Sequence, residues 1–126
     1  MTTMDVPAIE TAELRARVGT QGGAVVAHFA GSADSRAMTT IDGFLNRLHS
    51  EILRLALAEV DVDFREFDFM NSSCFKAFVS WIGQVQDLEL SKQYKIRFLS
   101  NENKHWQRRS LEALRCFAVD LIRVEA

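Results

Sequence analysis

Apolar residues recur with period two over five short stretches and with periods three and four over three longer ones. Glu13–Val18 and Ala24–Phe29 alternate, and Gly19-Thr20-Gln21-Gly22-Gly23 between them supplies turn chemistry, which predicts an antiparallel hairpin. Glu59–Phe64 alternates apolar with acidic residues, Tyr94–Leu99 alternates apolar with basic ones, and Leu121–Val124 reads as a short closing strand. Ile41, Phe44, Leu45, Leu48, Ile52 and Leu55 fall on one helical face, with Arg47, Glu51 and Arg54 facing away and Thr39 or Thr40 placed to cap the start. Phe75, Phe78, Val79, Ile82 and Val85 mark a second helix. A third is predicted over Asn101–Cys116, its buried side defined by Leu111, Leu114 and Phe117.

The resulting order, β-β-α-β-α-β-α-β, predicts an α/β fold. Strand–helix–strand units imply right-handed crossovers between parallel neighbours, and the opening hairpin adds an antiparallel edge, giving a mixed β-sheet packed against helices. Residues 1–10 hold the only proline, Pro7, lack periodicity and read as a loose N-terminal tail. Residues 11–126 read as one domain, without internal repeats or low-complexity tracts.

Composition narrows the function classes. A net charge of −2 provides no electrostatic footprint for nucleic acid or an anionic membrane. No apolar run approaches the ~18 residues that would suggest a span, and the start of the chain lacks the basic and apolar regions of a signal peptide. Membrane insertion is therefore not expected, and the cytoplasm is the expected compartment. The two cysteines, Cys74 and Cys116, have no metal-ligand spacing and read as reduced, mostly buried thiols. Asp61 and Asp63 share one face of a strand, a pattern that fits edge polarity or capping by a neighbouring helix better than a metal. No metal or other cofactor is expected.

Candidate chemistry concentrates at Phe69-Met70-Asn71-Ser72-Ser73-Cys74, where a strand runs through a short turn into the second helix. Asn71, Ser72 and Ser73 are each able to cap a helix whose first N–H groups lack partners. The helix dipole makes the same place tolerant of an anion, so a serine there can carry a phosphate without unfolding its surroundings. Cys74 occupies a position that favours a thiolate, but His28, His49 and His105 are spaced so that no base is gathered beside it. No catalytic residue is assigned, and the chain is not expected to be an enzyme. Trp81 lies on the flank of the second helix, either sealing a border with a neighbouring helix or projecting as an aromatic anchor for a partner. His105-Trp106-Gln107-Arg108-Arg109 reads as a solvated basic face, or alternatively as a protein contact through Trp106, Arg108 and Arg109.

With that turn between that strand and that helix, the course from about Glu13 to Val124 resembles a STAS domain, the fold of anti-sigma factor antagonists and of sulfate-transporter cytoplasmic tails. The signature of that family is a strand ending in an aromatic-Met-Asp-Ser-Ser-Gly turn that opens a helix. Here Asn71 stands at the acidic position and Cys74 at the glycine. Gly31-Ser32-Ala33-Asp34 is similar to the Gly-x-x-Asp that follows the second strand of the family. The resemblance implies a small bacterial regulator that works by protein–protein binding and partner switching. It implies phosphorylation at Ser72, with Ser73 the second candidate, by a serine kinase that is also an anti-sigma factor-like protein, and reversal by a PP2C-type phosphatase. The recognised surface it implies comprises Asn71, Ser72, Ser73, Lys76, Trp81 and Asp34. The alternative is a STAS-like scaffold or assembly subunit without phosphorylation.

Overall fold

The computed structural model describes residues 4–21 and 23–126. Met1–Thr3 of the expected tail and Gly22 of the expected turn lie outside the described residues. Strands β1 (Ile9–Glu10), β2 (Leu14–Gln21), β3 (Ala24–Ala33), β4 (Glu59–Met70), β5 (Lys95–Leu99) and β6 (Ile122–Glu125) form one sheet in strictly sequential order. β1/β2 and β2/β3 pair antiparallel; β3/β4, β4/β5 and β5/β6 pair parallel. The crossovers are α1 (Met38–Arg54), α2 (Ser72–Gln86) and α3 (His105–Phe117). A sequential parallel order with right-handed crossovers puts all of them on the same face. That face is dry: Ala27, Phe29, Val60, Val62, Phe64, Ile96 and Phe98 meet Phe44, Leu48, Phe78, Ile82, Leu111 and Leu114 in one core. Among the described residues no helix is long and apolar enough to cross a membrane.

Several expected boundaries shift. β2 continues through Gly19 and Thr20 to Gln21, which pairs with Ala24, so the hairpin turn is tighter than the glycine run suggested. Gly23 adopts φ +85°, the left-handed conformation glycine enters without a side-chain penalty. Thr39 and Thr40 are not caps. The chain begins to wind earlier, in a 3₁₀ turn over Ser35–Ala37 capped by Asp34, and this runs directly into α1. The third helix starts at His105, because Asn101 forms a turn by accepting from the Asn103 N–H at 2.9 Å. Phe117 is 53% exposed rather than buried; it is the last residue of α3, and Ala118 takes the inward position.

The N-terminal tail is not loose over its described part. Ile9 and Glu10 pair with Ala16 and Arg15, and Ile9 is buried. The Asp5 N–H donates to Glu51 Oε1 at 2.8 Å, while Arg47 donates to the Asp5 carbonyl at 2.7 Å and to its carboxylate at 2.6 Å. These anchors lie on α1, distant in sequence, and local periodicity carries no trace of them.

Gly31 has φ +92°, and a Cβ there would run into the Glu13 carbonyl oxygen, which accepts the Ser32 N–H at 2.7 Å. Only glycine lets β3 turn away from β2 here. Asp61 and Asp63 are not edge residues, since β4 pairs on both sides. Both are buried on the helix-free face. Arg97 donates to the two Asp61 oxygens at 3.0 and 2.6 Å; Asp63 meets Arg65 at 2.8 Å and His28 Nδ1 at 3.2 Å. Burial pushes the Asp63 carboxyl up, but the hydrogen bonds from Arg65 outweigh it and the net shift is downward.

Trp81 is 2% exposed and points into the core, so it seals the border between helices and presents no anchor to a partner. Its Nε1–H donates to Tyr94 Oη at 2.7 Å, and Tyr94 Oη lies 2.6 Å from His49 Nδ1. Burial lowers the pKa of His49 and raises that of Tyr94. The phenol oxygen accepts from the indole and is hydrogen-bonded in turn to the His49 ring. A largely buried polar chain therefore joins α2, the residue just before β5, and α1.

Trp81→Ala should cost about 3–5 kcal/mol of stability by opening a cavity. Trp81→Phe should cost about 1 kcal/mol, since Tyr94 keeps its bond to His49. Urea denaturation of both variants checks this ranking, and a near-neutral Trp81→Ala would contradict the packing role.

The hydrogen bonds of Arg54, and then of the Asp5 amide, lower the Glu51 carboxyl from the usual 4.5 to about 2. The stabilisation is therefore present above about 4.5 and lost as pH falls towards about 2. Glu51→Gln should be less stable than wild type at pH 7 and converge on it near pH 2, as read from denaturation curves across that range.

Candidate functional site

The parallel order brings the carboxyl ends of β3, β4 and β5 to one pole, together with the first turns of the helices that follow them. The β4–α2 junction sits there. Asn71 is extended, with φ −65° and ψ 155°, and its Oδ1 accepts from the Ser73 N–H at 2.8 Å. Its own N–H donates to the Ala33 carbonyl at 2.8 Å, and its carbonyl accepts the Phe75 N–H at 3.0 Å. Asn71 is therefore the cap, and it ties the start of α2 to the end of β3.

That leaves the serines free of capping. Ser72 is the first helical residue and is exposed; Ser73 is half-buried. The Ser72 hydroxyl has no hydrogen-bond partner among the described residues. Lys76 lies four positions on, where i,i+4 spacing puts it on the same side of the helix, and it too is exposed.

Cys74 is fully buried, and its thiol donates to the Asp34 carbonyl at 3.2 Å. Burial first, and Asp34 second, push the thiol pKa up, the reverse of what a nucleophile requires. None of the three histidines bonds to it: His28 meets Asp63, His49 meets Tyr94, and His105 is exposed. The Asp34 carboxylate accepts from the Arg36 N–H at 2.9 Å and from the Arg36 guanidinium at 2.7 Å. Those bonds hold it below the usual carboxylate range. Gly31–Asp34 and Asn71–Cys74 are thus joined directly, through Ala33 and Asp34.

Of the predicted site residues, Asn71, Ser72, Ser73 and Asp34 gather at this pole, Lys76 follows one turn along α2, and Trp81 lies inside. Three features were not foreseen. Phe69, 48% exposed, and Met38, 39% exposed, add apolar surface at the same pole. Lys104 and Asp68 form an ion pair of 2.5 Å beside it. Gln107, fully buried, donates through Nε2 to the Phe64 and Phe67 carbonyls and accepts from the Asn101 N–H at 2.8 Å. β4 carries extra residues relative to β3 in this region, and Gln107 satisfies the displaced carbonyls. The available signal was a polar residue at 107 on the same helical stripe as Leu111 and Leu114.

A hollow of about 600 Å³ lies elsewhere, on the helix-free face around Arg17, His28 and Asp63, and its lining holds no serine, threonine or cysteine. Among the described residues no group of His, Cys, Asp and Glu is placed to hold a metal.

No known family profile matches the chain, and no curated sequence matches it. Its structure is similar to a crystal structure of an anti-sigma factor antagonist from Mycobacterium paratuberculosis. The two share 11% identity, the match covers 90% of this chain and 86% of that one, and the TM-score is 0.62. At that identity the likeness establishes the architecture. The chain shares the mixed α/β fold of that anti-sigma factor antagonist.

Proposed function

We propose that this chain is a non-catalytic regulator that works by binding a protein partner at the β4–α2 pole, with Ser72 as a phosphorylation switch. The observation that carries the reading is the division between Asn71 and Ser72. The asparagine supplies the cap, so the adjoining serine hydroxyl is exposed, unengaged and at a helix N-terminus. A phosphate there adds a charge of about −1.5 to −2 where the dipole tolerates it. The change alters what a partner meets and leaves the fold intact. The partner on this reading is a serine kinase of the anti-sigma factor type, with a PP2C-type phosphatase opposing it, in the cytoplasm. Asn71, Ser72, Ser73, Lys76 and Asp34 form the polar part of the contact, and Phe69 and Met38 supply its apolar part. Trp81 is left out because it is buried.

A second reading keeps the same surface without the modification, as a scaffold or assembly subunit. The observation favouring it is Cys74. Its side chain fills the space under the Gly31–Asp34 segment, where the resembling family has glycine, and Asn71 removes a charge that a cognate kinase would read.

Both Ser72→Ala and Ser72→Asp should change the melting free energy by no more than about 0.5 kcal/mol, because no cap is lost. Ser72→Asp should weaken binding to the kinase-type partner, measured by titration calorimetry, whereas Ser72→Ala should bind as unmodified protein does. Equal affinity of the two variants would reject the switch and leave the scaffold reading.

A further inference from the structure

β6 is the last strand of the sheet, and among the described residues no strand pairs with its outer edge. On its inner side the Leu121 carbonyl accepts the Ile96 N–H at 2.8 Å and the Glu125 carbonyl accepts the Ser100 N–H at 2.7 Å. Backbone groups of successive strand residues point to alternate sides, so Arg123 also faces β5, and Ile122, Val124 and Ala126 face outward. The Ile122 N–H returns to the Ala118 carbonyl at 3.0 Å. The Ile122 carbonyl, both Val124 groups and the Ala126 N–H have no backbone partner among the described residues. Ile122–Glu125 contains no proline, lysine or bulge to discourage pairing. The opposite edge is blunted by the two-residue β1, with Pro7 just before it.

We infer that β6 pairs antiparallel with β6 of a second copy of this chain, about a two-fold axis at Val124, so that the two sheets become one. In that register the N–H and carbonyl of Val124 bond reciprocally to those of Val124 in the second copy, and each Ala126 N–H reaches the opposing Ile122 carbonyl. Arg123 then falls opposite Glu125 of the second copy, and Glu125 opposite its Arg123. Such non-hydrogen-bonded pairs stand about 4.5 Å apart at Cα, and the like charges sit on the diagonals, about 7–8 Å apart. Symmetric pairing centred on Arg123 or on Glu125 would set a charge against its own copy. Pairing displaced by one residue would turn the side chains to opposite faces. The charge pattern therefore selects the Val124 register and makes the edge complementary to itself.

Within one chain these charges are held loosely. Arg123 lies 3.6 Å from Glu59 and 3.5 Å from Glu125, and Arg97 lies 3.5 Å from Glu125. The interior pair Arg97–Asp61 closes to 2.6 Å and Arg65–Asp63 to 2.8 Å. The Arg123 and Glu125 side chains are 61% and 46% exposed, on the same helix-free face, and are available to a second strand.

A short strand edge buries little area, so association should be weak and is best followed by sedimentation equilibrium up to ~1 mM protein. The wild-type chain should show a concentration-dependent monomer–dimer equilibrium. Arg123→Glu and Glu125→Arg should each weaken it at least ~10-fold by setting like charges opposite one another. The double variant carrying both changes should recover to within ~3-fold of wild type, because the pairs are restored with reversed polarity. Thermal melting verifies that each variant is folded, and Arg123→Gln replaces any that melts early. A wild-type chain that stays monomeric throughout would overturn the inference. So would a dimer indifferent to the single changes, or a double variant that does not recover.

Discussion

Phe64 is the residue against which the layers of this molecule are set. It is fully buried on the central strand β4, with its ring 5.6 Å from Phe29 at 84°, 5.4 Å from Phe78 at 88°, and 5.4 Å from Phe98. One ring thus meets β3, α2 and β5, in edge-to-face or tilted contacts that favour particular orientations as well as burial. Phe67, 4.9 Å away, and Trp106 of α3 extend the cluster towards the pole where β4 ends. The height at which β4 leaves the sheet, and so the place where α2 begins, depends on that packing.

The β4–α2 pole is built by separating tasks among adjacent residues. Asn71 satisfies the helix and grips β3; Cys74 fills the space below and bonds the Asp34 carbonyl; Asp34 holds Arg36 and caps the turn before α1. Ser72 is left with no structural duty. The proposed switch rests on this combination, a rigid base under a hydroxyl that nothing else uses, because a phosphate placed on a capping side chain would remove the cap it depends on.

The helix-free face follows a different logic. With no layer of helices above it, the sheet covers itself with long side chains. Arg97 and Arg65 lay their stems across the surface and place guanidinium groups on buried carboxylates. Removing one partner would leave an unpaired buried charge, a larger cost than the pair's own net contribution. Towards β6 the same alternation continues with the pairs stretched to 3.5–3.6 Å, so the edge keeps charge in reserve.

The sequence by itself determined the order of strands and main helices from β2 onward, the β2–β3 hairpin, and the strand–turn–helix that carries Asn71, Ser72 and Ser73, but not β1, which forms the edge beyond that hairpin. Those features are written in local periodicity and in residues whose turn or capping chemistry acts within a few positions. It could not determine the anchoring of Asp5 to Arg47 and Glu51, the plugging of β4 by Gln107, or which of three able residues caps α2. Each depends on groups that meet only once the sheet has formed. Trp81 shows the limit most plainly. Its helical position marks it as a flank residue, and a flank is buried or exposed according to what packs beside it. Tyr94 and the neighbouring helix α1 decided that, because the indole N–H finds its acceptor inside the core.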